Sequence, residues 1–259
     1  MIERITPVLL TYNEAPNISR TLSMLTWARD VVVVDSKSSD DTRERASAFP
    51  NVRIFERPFD SHAAQWTWAV EETGIGTDWV LALDADYVLS DALVEELKQL
   101  DPGPATAGFR ASFVYCVLGR GLRGSVYPPV TVLYRRDRSR YVQDGHTQRI
   151  QLDGEVRPLR APVLHDDRKP LGDWLRSQHR YMRLESEVIR STPWRELRWP
   201  DRLRKMRVVA PFFVLAYCLV AKGGLLDGRA GWFYAFQRFA AETILSLQLL
   251  ESDVGGGPP

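Results

Sequence analysis

Ile5-Thr6-Pro7-Val8-Leu9-Leu10 and Val31-Val32-Val33-Val34, with Asn17-Ile18-Ser19-Arg20-Thr21-Leu22-Ser23-Met24-Leu25 between them, decide the fold. The two apolar runs are short, β-branched and bounded by polar clusters, as strands covered on both faces of a parallel sheet are. The intervening segment sets Ile18, Leu22 and Leu25 at helical spacing, so residues 5–34 read as strand, helix, strand. The alternation continues with a helix at 40–48, a strand at 52–55, a helix at 63–72 and a strand at 79–83, which predicts the α/β class. A further helix at 91–100 has Ser90 or Asp91 as its N-cap and stops at Asp101-Pro102-Gly103-Pro104.

Residues 107–164 change character, with short strands at 109–117, 130–134 and 149–152 between charged or Gly-rich turns. Helix returns at 173–190. The basic run Arg202-Leu203-Arg204-Lys205-Met206-Arg207 then leads into an apolar run at 208–221. That run is shorter than the ~20 residues a spanning helix needs and contains Pro211, so it does not read as a simple transmembrane span. Residues 231–250 carry Trp232, Phe233, Phe236, Phe239, Ile244, Leu247 and Leu250 at helical spacings, an amphipathic helix suited to protein or to a bilayer interface. Residues 252–259 read as a loose tail.

With 34 Lys+Arg against 33 Asp+Glu, the near-neutral chain has no charge excess for wrapping nucleic acid, and none is expected as a partner. Two cysteines, Cys116 and Cys218, are no disulfide framework and point to a reducing compartment. Glu3 stands where a secretory signal carries positive charge, so the mature protein is expected to start here, on the cytoplasmic side.

The chemistry concentrates at strand ends. Asp84-Ala85-Asp86 follows the strand at 79–83, and residues two apart in extended chain project to one side. Paired carboxylates repel, and a hard divalent cation such as Mg²⁺ relieves this while also binding substrate phosphates. Thr11-Tyr12-Asn13-Glu14 and Asp35-Ser36-Lys37-Ser38-Ser39-Asp40-Asp41 follow the first two strands, and the carboxyl ends of parallel strands are where open α/β sheets bind ligands. Tyr12 can stack on a base and Asp35 can accept from one; Ser38 to Asp41 read equally as helix caps. Neither a P-loop nor a G-x-G-x-x-G follows the first strand, which removes support for Walker-type and dinucleotide sites.

Three motifs in this order, Leu10-Thr11-Tyr12-Asn13-Glu14-Ala15-Pro16-Asn17-Ile18, residues 31–42 around Asp35, and Leu83-Asp84-Ala85-Asp86, resemble the family 2 glycosyltransferases of the GT-A fold. The resemblance covers about residues 5–100. It implies a Rossmann-like three-layer sandwich with a mixed central sheet, here with a C-terminal helical extension. It divides the chain into a catalytic domain at 1–190, a helical, membrane-associating extension at 191–251 and the tail. It further implies inverting, metal-dependent hexosyl transfer from a nucleotide-diphosphate sugar to a glycan or lipid-linked hydroxyl, with Mg²⁺ or Mn²⁺ as cofactor. By the same resemblance Thr11, Tyr12, Asn13, Glu14, Asp35, Ser36, Gln65, Asp84 and Ala85 hold the donor, and Asp86 is the direct metal ligand.

Later motifs follow the family order: Gly119-Arg120-Gly121-Leu122-Arg123-Gly124, Val142-Gln143-Asp144-Gly145-His146 and His165-Asp166-Asp167-Arg168-Lys169. They imply Asp144 as general base, His165 as a further metal ligand, and Arg168 and Lys169 as a phosphate site; Asp166 or Asp167 is the substitute if Asp144 is not the base. The last motif, followed by Trp174, Gln178 and Tyr181, is similar to the lipopolysaccharide-core branch, implying work at the inner face of the cytoplasmic membrane. The basic run at 202–207 fits peripheral contact with an anionic membrane, and the same helices could instead carry a homodimer contact. The competing readings are a nucleotide-sugar or glycan-binding module without turnover, and a nucleotidyltransferase.

Overall fold

The computed structural model describes residues 1–144 and 147–255, with the side chains of 143, 144, 147 and 148 outside that description. The chain divides into two compact units. The first comprises residues 1–119 and 127–168, the second residues 120–126 and everything from Lys169 onward.

The first unit begins with β1 (Ile5–Thr11), α1 (Ile18–Ser23), β2 (Val31–Asp35), α2 (Thr42–Ser47), β3 (Val52–Glu56), α3 (His62–Glu71) and β4 (Trp79–Asp84). It continues with β5 (Tyr87–Leu89), α4 (Asp91–Gln99), β6 (Thr106–Ala111), β7 (Phe113–Val117), β8 (Val130–Arg135), β9 (Ser139–Asp144), β10 (Thr147–Leu152), β11 (Glu155–Pro158) and β12 (Val163–His165). Seven strands form the main sheet in the order β11-β6-β8-β4-β1-β2-β3. β4, β1, β2 and β3 run parallel, while β8 is antiparallel to both β4 and β6. The sheet is therefore mixed, as expected.

Side-chain alternation builds three layers. Leu9, Val31, Val33, Leu81 and Leu83 face Ile18 and Leu22 of α1 and Leu93 and Leu97 of α4. Val8, Val32, Val34, Val80 and Ala82 face Trp66, Ala69 and Val70 of α3. Every residue of β2 is buried, which explains its unbroken valine run. Ser90 caps α4 by accepting from the Leu93 N–H at 3.2 Å, and Ser61 caps α3 through the Ala64 N–H at 3.2 Å.

The expected single strand at 109–117 is two strands in different sheets. β6 belongs to the main sheet, whereas β7 pairs with β12, which also pairs with β5. The exchange at Ser112 carries the chain out of the sheet plane and brings His165 alongside Tyr87 and Tyr115.

The second unit contains α5 (Leu171–Ser191), α6 (Trp199–Lys205), α7 (Val209–Ala216), a π-helical turn at Tyr217–Ala221, a 3₁₀ turn at Gly224–Asp227 and α8 (Gly228–Val254). Ile189, Leu245 and Leu249 pack α5 against α8. Arg204 is buried among carboxylates, 2.7 Å from Glu242, 3.1 Å from Asp201 and 3.3 Å from Glu185. Burial alone would lower its pKa; the three carboxylates outweigh this and raise it. No single described helix is long and apolar enough to cross a membrane.

Candidate functional site

The register of the parallel strands gathers the site. Thr11 lies opposite Asp35 and Leu10 opposite Asp84, so β1, β2 and β4 end together at one edge. Asp35 is fully buried there. Its carboxylate accepts from Thr11 Oγ1 at 2.7 Å, from the Ser38 N–H at 2.7 Å and from Ser38 Oγ at 2.6 Å. These three bonds fix the carboxylate where the two loops meet and leave Oδ1 with acceptor capacity. Ser38 Oγ accepts in turn from the Asn13 N–H at 2.8 Å, and Thr42 Oγ1 accepts from the Glu14 N–H at 2.7 Å. Asn13 occupies the left-handed region at φ 53°, which asparagine tolerates, and its Oδ1 accepts from the Ser39 N–H at 2.9 Å. These bonds join the two loops and leave Tyr12 half exposed above them, free to stack.

Gln65 is buried, and its Nε2 donates to Ser36 Oγ at 3.2 Å, so both hold the second loop from below. Trp66 is core: it stacks on Tyr141 at 5.5 Å, and Trp68 meets Phe55 edge-on at 6.0 Å. Asp84, the last residue of β4, is exposed, Ala85 in the turn that follows is buried, and Asp86 is half-buried. The Ala85 carbonyl accepts from Thr21 Oγ1 at 2.6 Å, which fastens the turn to α1.

His165 Nε2 lies 3.1 Å from Asp86 Oδ2, and the Asp166 N–H donates to the Asp86 carbonyl at 3.0 Å. Tyr127, Tyr115 and Tyr87 surround the imidazole edge-on at centroid distances of 4.6, 4.8 and 5.3 Å. Burial would lower the His165 pKa, but Asp86, with Asp84 and Asp167, outweighs it and raises the value. The Tyr87 and Tyr127 hydroxyls bond each other, and burial, reinforced by Asp84, holds both phenols above their ordinary pKa.

Residues 166–168 are locked to α1. Asp166 accepts from Arg20 Nη1 at 2.6 Å, from Arg168 Nη2 at 2.8 Å and from the Gly119 N–H at 3.0 Å. Burial opposes ionisation of Asp166, yet the two arginines and the amide keep its pKa below the usual carboxylate range. A carboxylate so engaged is poorly placed to act as a base. Gly119 sits at φ +83°, in the left-handed region that favours glycine, with the Arg168 guanidinium against it. Lys169 falls in the second unit. Asp144 ends β9 opposite Thr147, and its side chain lies outside the described residues.

A metal can be tested against this geometry. Neighbouring ligands on an octahedral cation with bonds of about 2.1 Å are about 3 Å apart. The Asp86–His165 separation of 3.1 Å fits that spacing. Among the described residues no group of three or more His, Cys, Asp or Glu converges on one ion position. The fit is therefore to two protein ligands, a carboxylate and an imidazole, with the remaining positions left for phosphate oxygens and water.

Sequence reading missed Asn17, Arg20 and the three tyrosines. Asn17 is buried and bonds Glu14, Asp167, Arg20 and the Arg168 N–H at 2.8–2.9 Å. Its position at a helix start looks like capping alone, and only the fold shows 150 residues of chain folding back onto it. The period-two spacing of Phe113 and Tyr115 was the one available sign of the aromatic surround.

Comparison with known proteins agrees. The pattern of the family described as glycosyl transferase family 2 matches residues 7–147, more than half of the chain. An uncharacterized glycosyltransferase of Rickettsia felis is 33% identical over 100 residues, covering 38% of this chain and 34% of the relative. One from Rickettsia bellii is 33% identical over 101 residues, covering 39% and 33%. The chain thus spans about a third of the length of these curated relatives. Among solved structures, glucosyl-3-phosphoglycerate synthase from Mycobacterium tuberculosis with Mn²⁺ and UDP-glucose aligns at 18% identity and TM-score 0.47, covering 69% of this chain and 76% of that one. S. aureus TarS 1–349 with UDP-GlcNAc aligns at 15% and 0.44, covering 97% and 92%. The ordered motifs at the sheet edge and the match across residues 7–147 together show that this chain belongs to glycosyl transferase family 2.

Proposed function

We propose that the protein transfers a hexosyl group from a nucleotide-diphosphate sugar to a hydroxyl of a glycan or lipid-linked acceptor, with inversion at the anomeric carbon, in envelope polysaccharide or lipopolysaccharide synthesis. The observation that carries this reading is the convergence of Asp84, Asp86 and His165 with the Thr11–Asp35–Ser38 cluster at one sheet edge. In this reading Tyr12 stacks on the base, the loops at 11–14 and 35–38 seat the nucleoside, and Asp84 lies nearest the ribose. Asp86 and His165 would hold a divalent cation, which supplies charge neutralisation at the diphosphate when bound. Arg168, oriented by Asp166, adds positive charge where the departing diphosphate develops negative charge. The acceptor oxygen attacks the anomeric carbon opposite the diphosphate. The bond to the diphosphate breaks with its electron pair leaving on the phosphate oxygen, and Asp144 takes the hydroxyl proton.

Product analysis tests this reading. A transferase releases nucleoside diphosphate, a nucleotidyltransferase releases pyrophosphate, and a binding module releases neither. Asp86→Ala is expected to lower turnover by at least ~10²-fold. Asp144→Ala should keep donor affinity while losing transfer. Pyrophosphate release, or full turnover by Asp86→Ala, would overturn the reading.

A further inference from the structure

The second unit carries an apolar surface that the proposed chemistry does not use. On α7 and the π-helical turn, Val209, Phe212, Phe213, Tyr217 and Val220 share one exposed face, while Ala210, Pro211, Cys218 and Leu219 turn inward. The following turn exposes Leu225 and Leu226, and the first turns of α8 expose Trp232, Phe233 and Phe236. Val220 and Leu226 are 72% and 70% exposed, far beyond what a lone surface aliphatic accounts for when ten apolar side chains lie on one helix-turn-helix segment.

Its dimensions set how such a segment can meet lipid. The helical stretch Val209–Ala221 is about 20 Å long at 1.5 Å per residue, short of the ~30 Å hydrocarbon core. It bends by 68° into the next helix. α8 in turn buries Glu242 against Arg204, a pair that belongs inside protein. Val209–Ala221 and Gly224–Val254 together have the length and composition of a broken span, but the buried Glu242 on α8, paired with Arg204, holds that helix in protein and favours a seat in the interface over a crossing. Its aromatic residues and Lys222, whose ammonium sits 5.6 Å from the Tyr217 ring, are the residue types that settle at headgroup level.

Charge selects the partner. Between residues 194 and 229 there are eight Lys or Arg against three Asp or Glu; Arg204 and Arg207 are paired with Glu242 and Asp253, and the other six still outnumber the acids. Arg195 and Arg229 are exposed, and the Arg198 side chain is 89% exposed. A second copy docking by a two-fold contact would bring these like charges together, whereas an anionic surface neutralises them. We propose that the second unit docks on an anionic lipid bilayer through the exposed apolar face of α7, the turn at 222–227 and the start of α8, lying in the interface without spanning it. This rests on the second unit alone and not on the catalytic reading.

The experiment is flotation of the full chain with vesicles of phosphatidylcholine alone or mixed with phosphatidylglycerol, at low and high salt. Wild type should float with the anionic vesicles, and high salt should reduce the bound fraction. Val220→Ser/Leu225→Ser/Leu226→Ser, with an unchanged melting midpoint, should partition at least about tenfold less. Arg195→Gln/Arg198→Gln/Arg229→Gln should lose the preference for anionic vesicles and serves as the independent variant if the first does not fold. Asp86→Ala should float as wild type does, which separates failure of docking from failure of the proposed chemistry. Wild type left in the aqueous fraction with anionic vesicles would overturn the proposal, as would a dimer that dissociates in the serine variant without any vesicle binding.

Discussion

Asn17 holds the first loop, α1 and the segment at 166–168 together with one buried amide. Asn17→Ala removes all four bonds at once and takes the acceptor from the Arg168 N–H, and should destabilise the fold by about 1–3 kcal/mol in urea unfolding, with reduced transfer. An unchanged midpoint would deny it that role. His165 has its own pH signature. Its pKa is raised in the folded state by Asp86, Asp84 and Asp167 against the opposing effect of burial, so its contribution is complete below the unfolded value of about 6.5. The contribution is lost as pH rises through the higher folded value. Chelator-treated wild type should therefore melt progressively lower across that window, and His165→Gln should lose the slope. A divalent cation competes with the same proton, so added Mn²⁺ should stabilise more as pH rises. The carboxylate pair was legible in sequence as two acids directly after an apolar strand, although only Asp84 is in extended chain and Asp86 lies in the turn beyond it. The burial of Asp35 was not, because it depends on Thr11 and Ser38 arriving from either side.

Strands and helices were legible where burial repeats in register with the chain. The valines of β2 alternate between two helical layers, so an unbroken apolar run announced a strand covered on both sides. The division of residues 106–117 into β6 and β7 was hidden, since both halves are apolar and only pairing partners distinguish them. The helices of the second unit could be placed from periodicity, but not the ionic cluster at their centre. Glu242 is 2% exposed and faces Arg204, which keeps Asp201 and Glu185, so Glu242→Ala should cost about 1–3 kcal/mol in thermal or urea unfolding. Replacing both residues by apolar ones of similar volume should recover much of that loss. A small effect from the single substitution would show that Asp201 and Glu185 suffice for Arg204.

At the scale of the molecule, the family match covers residues 7–147 and leaves everything from Lys169 onward outside that pattern. Residues 120–126 nevertheless belong to this second unit: the Arg123 N–H donates to Asp227 at 3.1 Å and the Val126 N–H to the Tyr234 hydroxyl at 2.9 Å. A chain ended at Arg168 would leave these amides and Leu122, only 6% exposed, without their partners. It should be less soluble than the full chain in a sedimentation assay; equal solubility would show that the excursion folds independently. Sequence reading found the α/β layers and the helical extension but not this excursion, because a Gly-rich segment gives no sign of which unit it will join. The central claim is a donor site built on Asp84 and Asp86. Its most direct test is the melting midpoint of the full chain against UDP-, GDP-, ADP- and dTDP-sugars, each with and without Mg²⁺ or Mn²⁺. A rise is expected that requires both a divalent cation and one particular base and that disappears in Asp86→Ala. A rise of equal size without metal, or no rise with any donor, would contradict that claim.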